Sequence, residues 1–270
     1  MEIKISEKLT CPSCTARDKF NHPLLIESGQ AAGLYCSSCR KAYPINDGII
    51  DFVGKKSMDI SISQRTMEFK PIVAAYERFW RPLVTKPFSG LSWEMETVMR
   101  LLNLMPHHEL LDIACGTGNF TRLFLNSIRN GSVTGIDLSV PMLKNAATSL
   151  GINHRTGLTL LRVDVTKWPF APDCFDRIHC AGALHLFPEI QSVFQSIARS
   201  LKPGGIFVGA TYIKSAGTVK GIIQKWISFR SGFHWFEPEE LFELSHRAGF
   251  VEWEQHINKQ GIIFRVKKPD

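Results

Sequence analysis

The stretch 109–137 constrains this chain more than any other, because it reads as strand, glycine turn, helix and second strand ending in an acid. Leu110, Leu111 and Ile113 suit a strand buried in a parallel sheet. The small residues Ala114, Cys115, Gly116, Thr117 and Gly118 let a ligand approach the backbone closely before a helix starts near Phe120. Val133, Thr134, Gly135, Ile136 and Asp137 form the second strand, and Asp137 falls 19 residues after Gly118. That distance suits a carboxylate that takes both hydroxyls of a ribose at the end of a neighbouring strand, so a nucleoside is the expected ligand.

Dinucleotide dehydrogenases share this logic with a G-x-G-x-x-G turn, but here Thr121 stands at the third glycine position and the acid Asp112 precedes the turn. An acid at that place suits an ammonium better than a pyrophosphate. At these residues the chain resembles the class I S-adenosylmethionine-dependent methyltransferases, whose first motif is an acid followed by a Gly-x-Gly turn; Ala114 occupies the site where most members have their first glycine. The resemblance implies an α/β, Rossmann-like sheet and S-adenosylmethionine as cofactor. It places Asp112, Ala114, Cys115, Gly116, Gly118, Asp137, Leu138, Met142, Asp164, Val165 and Ala181 around that cofactor, with Met142 on one adenine face and Asp164 and Val165 at the adenine amino group and ring edge. A strand-end cap is the alternative role for Asp164.

The pattern around these positions stays βα. A helix over 141–150 begins at Ser139, a third strand covers 158–165, and a fourth strand covers 175–185. A helix over 189–200, a turn at 201–205, a fifth strand over 206–213, a helix over 236–250 and a hairpin over 251–266 follow. The fourth strand aims His185 at the crevice where α/β ligands bind, either beside the reacting methyl or as a packed histidine. The insertion 214–235 carries Val219, Ile222, Ile223, Trp226 and Ile227 at helical spacing, which fits a lid over an apolar acceptor or a basic helix on a membrane surface. His234 and Trp235, just after it, are candidate substrate contacts, and His185 or His234 would orient the acceptor or remove its proton. An aromatic-rich helix over 64–84 adds Tyr76 and Trp80 by analogy with helices that close over the cofactor in the family.

Ahead of all this stand Cys11 and Cys14, then Cys36 and Cys39: two Cys-x-x-Cys pairs separated by 21 residues. The spacing suits two knuckles clamping one tetrahedral, structural Zn²⁺, with disulfides as the competing reading. The following Tyr43-Pro44-Ile45-Asn46-Asp47-Gly48-Ile49 resembles the zinc-ribbon module of small activator subunits of RNA-modifying methyltransferases. The expected organisation is a zinc ribbon over 1–53, a linker over 54–63 and a methyltransferase domain over 64–270. Met1 to Lys4 lack the apolar run of a signal peptide, so a soluble, cytoplasmic protein is expected.

Two groups resemble the whole chain. Bacterial ribosomal RNA guanine methyltransferases place a zinc ribbon ahead of the same domain. Plant and cyanobacterial methyltransferase-like proteins are nearer, through Tyr76-Glu77-Arg78-Phe79-Trp80-Arg81-Pro82, through 179–185 and through 205–211. The expected activity is methyl transfer to O, N or C of a small, largely apolar acceptor. RNA methylation and a non-catalytic partner role are the alternatives. The formal charge of +7 favours polyanions only mildly, since four thiolates on one Zn²⁺ offset part of it, and Lys8, Arg17, Lys19, Arg40 and Lys41 are scattered.

Overall fold

A computed structural model describes residues 7–18, 22–27, 33–54, 90–152, 156–215, 224, 228 and 232–270. The expected linker beyond Gly54, the helix over 64–84 with Tyr76 and Trp80, and most of the insertion lie outside the described residues.

The amino-terminal part holds helix α1 (Pro12–Asp18) and strands β1 (Leu24–Glu27), β2 (Gly33–Cys36), β3 (Ala42–Asn46) and β4 (Ile49–Asp51). These four strands pair antiparallel in order. Asp47 and Gly48 join β3 to β4 with φ of 52° and 78°. Two consecutive left-handed residues make the tight hairpin loop that Asp-Gly favours.

The rest alternates helix and strand: α2 (Leu91–Leu102), β5 (Glu109–Ile113), α3 (Asn119–Ser127), β6 (Ser132–Asp137), α4 (Val140–Leu150), β7 (Leu158–Arg162), β8 (Phe175–Ala181), α5 (Ile190–Ser200), β9 (Leu201–Tyr212), α6 (Pro238–Arg247), β10 (Val251–Asn258) and β11 (Gly261–Lys267). Strands β7, β6, β5, β8 and β9 run parallel, and β11 and β10 close one end antiparallel. Along β5 the side chains alternate between two apolar clusters. Leu110 packs with Val98, Leu102, Phe120 and Phe124, whereas Leu111 and Ile113 pack with Phe194 and Ile197 of α5 and Leu241 of α6. Helices therefore cover both faces, as a parallel sheet requires.

Two expected strands end sooner than the sequence reading has them. The third stops at Arg162, and Asp164 beyond it folds back onto Thr166. The fourth stops at Ala181, because Gly182 takes φ 70° and turns the chain into the short 3₁₀ segment Leu184–Leu186 that carries His185. The expected turn at 201–205 is instead the irregular start of β9, with Gly204 at φ 71°.

The ribbon is built into this sheet. β4 pairs parallel with β7, matching Ile49 to Leu160, Ile50 to Leu161 and Asp51 to Arg162, which makes one sheet of 11 strands. A second seam lies where Thr10 N–H donates to the Pro169 carbonyl at 2.7 Å and Ala171 N–H to that of Lys8 at 2.9 Å. The Lys8 ammonium is buried against Glu109 at the start of β5 and donates to Ser132 Oγ at 3.2 Å. Leu9, Leu34, Tyr43 and Ile50 share a buried cluster with Leu161 and Phe170.

Candidate functional site

The backbone between β5 and α3 takes left-handed φ at three positions: Ala114 at 53°, Gly116 at 57° and Gly118 at 91°. Gly118 is required by packing as well, since a Cβ there would meet Leu150 Cδ1 at 2.8 Å. At Gly116 the same added carbon would meet nothing within 4 Å, so the turn presents bare backbone to open space. Asp137 closes the side of that space. Its Oδ2 accepts the Gly116 N–H at 2.9 Å and its Oδ1 the Ser139 N–H at 2.8 Å, which aims the carboxylate across the turn. An open glycine beside an oriented acid at the carboxyl edge fits an adenosine ribose.

Met142 lies buried in the first turn of α4, whose N-cap Ser139 Oγ accepts the Met142 N–H at 3.4 Å. Ala181 ends β8 opposite Ala210, and Cys115 is buried with its thiol pushed well above its ordinary pKa, chiefly by burial. Asp112 has buried side-chain partners that the sequence did not show. It is 1% exposed, and its oxygens accept from Thr121 Oγ1 at 2.6 Å and meet His179 Nδ1 at 2.8 Å. It therefore braces the turn from beneath, with His179 held between Phe120 and Phe124. Asp164 likewise spends Oδ1 on the Thr166 N–H at 3.0 Å and hydroxyl at 2.7 Å, the cap-like alternative, while Val165 packs on the core.

Beyond the end of β8 the short segment that carries His185 meets a cluster of aromatic rings. Phe233 stacks on the His185 ring at 3.9 Å between centroids and lies 4.4 Å from Trp235 and 5.9 Å from Tyr212. Burial, and to a smaller extent His234, push the His185 pKa down to about 3, and its Nδ1 lies 3.4 Å from Thr211 Oγ1. His234 meets His185 through the backbone, its N–H donating to the His185 carbonyl at 3.0 Å. Its ring is half-exposed, paired with Glu240 at 2.8 Å and edge-on to Phe236 at 4.5 Å between centroids. A shallow pocket beside the stacked rings is lined by Trp93, Glu94, Gly182, Thr211 and Tyr212. Glu94, Thr211 and Tyr212 escaped the sequence reading, whereas Phe233 lies in the stretch 231–236 that reads as a pocket wall. The signal for Glu94 was a carboxylate at helical spacing with Val98 and Leu101 on the buried face of α2, and Glu94 is 6% exposed.

A model of the methyltransferase domain matches residues 110–205, which brackets the glycine turn, Asp137 and His185. A demethylmenaquinone methyltransferase of Desulfitobacterium hafniense is 31% identical over 232 residues, spanning 84% of this chain and 84% of the relative. The chain belongs to the S-adenosylmethionine-dependent methyltransferases. An uncharacterized chloroplastic methyltransferase of Arabidopsis thaliana is 29% identical to this methyltransferase over 280 residues, covering 97% of the chain and 79% of the relative. The fold is shared with Haemonchus contortus phosphoethanolamine N-methyltransferase 2 in complex with S-adenosyl-L-methionine, at TM-score 0.67 and 18% identity over 96% of this chain and 74% of that one. S-adenosylmethionine is accordingly the cofactor, as the motifs implied. No helix among the described residues is long and apolar enough to cross a membrane.

The first part of the methyltransferase, residues 3–48, matches a model of Trm112p-like protein. There the sulfurs of Cys11, Cys14, Cys36 and Cys39 lie within 4.8 Å of one another, a donor set and spacing that one tetrahedral thiolate-bound metal would fit. Burial pushes the Cys36 thiol up, but the N–H groups of Cys39 and Ser38 outweigh it and hold the pKa at about 7, so a thiolate forms there readily.

Proposed function

We propose that this methyltransferase transfers the S-adenosylmethionine methyl group to a small, largely apolar, aromatic acceptor held beside Tyr212, Phe233 and Trp235. The observation that carries this reading is the run of rings from His185, just beyond the carboxyl end of β8, through Phe233 to Trp235, with Tyr212 joining it to the pocket that Glu94 lines. Offset aromatic contacts of this kind recognise a flat ring and exclude water. The relative named for demethylmenaquinone supports a quinone-like ring as the acceptor class.

The cofactor's sulfonium supplies an already activated methyl. The protein's share is to hold the acceptor atom in line with it, and such positioning contributes roughly 7–11 kcal/mol in favourable cases. Asp137 and the Gly116 backbone would fix the ribose. His185, neutral and stacked, is a weak base at ordinary pH and serves as a ring that orients the acceptor. Glu94 faces the same pocket and is the better-placed carboxylate for an acceptor proton. In this reading the insertion 214–235 would serve as the lid; among its described residues, buried Gln224 accepts the Ser215 N–H at 3.1 Å. In the ribbon, Cys11, Cys14, Cys36 and Cys39 hold a structural Zn²⁺ with a closed shell.

Transfer of labelled methyl from S-adenosylmethionine into a small-molecule extract and into total RNA, each with and without ribonuclease, tests the acceptor class. Label in organic-soluble material, identified by mass, supports the proposal. Label in ribonuclease-sensitive material overturns it in favour of RNA methylation.

A further inference from the structure

Three residues stand side by side on neighbouring strands at the carboxyl edge of the sheet. Asp51 of β4 is paired in register with Arg162 of β7, and Arg162 with Asp137 of β6. The Arg162 guanidinium joins Asp51 to the backbone that follows Asp137. Its Nη1 donates to Asp51 Oδ2 at 3.3 Å and to the Gly54 carbonyl at 3.0 Å, while its Nε donates to the Leu138 carbonyl at 3.1 Å. Asp51 is itself fixed, because its Oδ1 accepts the N–H groups of Val53 at 2.8 Å and Gly54 at 2.9 Å. Leu138 lies inside the turn that orients Asp137, between that carboxylate and the Ser139 N–H it accepts at 2.8 Å. One planar, five-donor group thus spans from the last turn of the ribbon to the backbone that aims Asp137.

As an ion pair the contact contributes little, since both side chains keep some solvent contact, at 19% and 17% exposure. Its geometry matters more. A guanidinium can bind an acid and two carbonyls at fixed angles, whereas a lysine ammonium offers no such fork.

We propose that Arg162 is a positioning residue for the cofactor, through which Asp51 and Gly54 of the ribbon hold Leu138, and hence the Asp137 carboxylate, where a ribose meets it. This rests on Asp137 being the ribose acid. The ribbon then belongs to the cofactor site without supplying a ligand atom to it, in the way outer-shell partners tune a metal ligand they support.

The test uses the full-length chain and S-adenosylhomocysteine as the probe, with Kd from calorimetry and Tm from thermal unfolding. Arg162→Met and Asp51→Asn are each expected to raise Kd by about ten-fold with Tm little changed, and Arg162→Lys to restore part of the loss. In an Asp137→Ala background Arg162→Met is expected to add less than about two-fold, because the loss acts through the same carboxylate. Wild-type affinity in folded Asp51→Asn and Arg162→Met overturns the proposal, and so do losses that multiply fully with Asp137→Ala. If Asp137→Ala alone leaves Kd unchanged, the ribose reading fails and the route through Asp137 with it; if Asp137→Ala is weak but Arg162→Met binds normally, only the relay fails. Should Arg162→Met not fold, Asp51→Asn and Arg162→Lys decide by the same criteria.

Discussion

The Tyr43 hydroxyl lies 3.1 Å from the Cys11 sulfur, beneath a ring that is almost fully buried. Burial, and then the neighbouring Cys11, push the Tyr43 pKa up, so the phenol stays protonated and would donate to Cys11 once a metal holds that sulfur as thiolate. With Zn²⁺ bound, this places a hydrogen bond behind one ligand. Tyr43→Phe is expected to weaken zinc about ten-fold, read by competition with a chromogenic chelator. An unchanged affinity would show that the hydroxyl only fills space.

Ala114 holds φ at 53°, a conformation that costs an L-residue about 1–2 kcal/mol. Glycine removes that strain but frees the unfolded chain by about 0.4–1 kcal/mol. Ala114→Gly should therefore stabilise the protein by about 0.5–1 kcal/mol, raising Tm by about 1–4 °C in a calorimetric scan. A lower Tm would mean that the methyl's packing outweighs the strain.

Asp137 carries the expected ribose contact, and hydrogen bonds to a charged group contribute about 1.5–3 kcal/mol each. Asp137→Asn keeps the shape and loses the charge. S-adenosylhomocysteine should bind about 10–100-fold more weakly by calorimetry, and an analogue lacking the ribose hydroxyls should bind both proteins alike. Equal loss for both ligands would assign Asp137 to the turn rather than to the ribose.

His185 gives acid sensitivity of a definite sign. Its folded pKa is depressed to about 3, while the unfolded chain titrates near 6.5, so the unfolded state binds the extra proton between these values. The stabilisation is complete above pH ~6.5 and is lost as pH falls toward 3. Between pH 7 and 5 the wild type should lose about 1–2 kcal/mol more than His185→Asn in urea unfolding. Parallel losses in the two proteins would place the sensitivity elsewhere.

The parts of the molecule that could be read from the sequence are those whose determinants are local. Gly116 and Gly118 are separated by one residue, and the Cys pairs carry their spacing with them, so the turn and the four-cysteine cluster were visible without a structure. The inward hydrogen bonds of Asp112 were not legible because its partner His179 is 67 residues away, and no local pattern distinguishes a carboxylate turned inward from one turned to a ligand. Arg162 was passed over for the same reason: a single arginine at a strand end is common, and its meaning lies in Asp51 and Leu138. The strand β4 has only three residues, Ile49–Asp51, too few for an alternation to register. The aromatic wall was seen in the stretch with Phe233 and Trp235 but not at Tyr212, which becomes their neighbour only when β9 and the segment before α6 converge.

The pairing of β4 with β7 also sets an order of events during synthesis. Asp51 and Arg162 are 111 residues apart, so the ribbon leaves the ribosome first and waits for its neighbour. At about 5–20 residues per second that interval is roughly 5–20 s, during which β4 presents an unpaired edge to the cell. Early metal capture, by fixing the antiparallel strands before β7 exists, would keep that edge in register for the partner that arrives last.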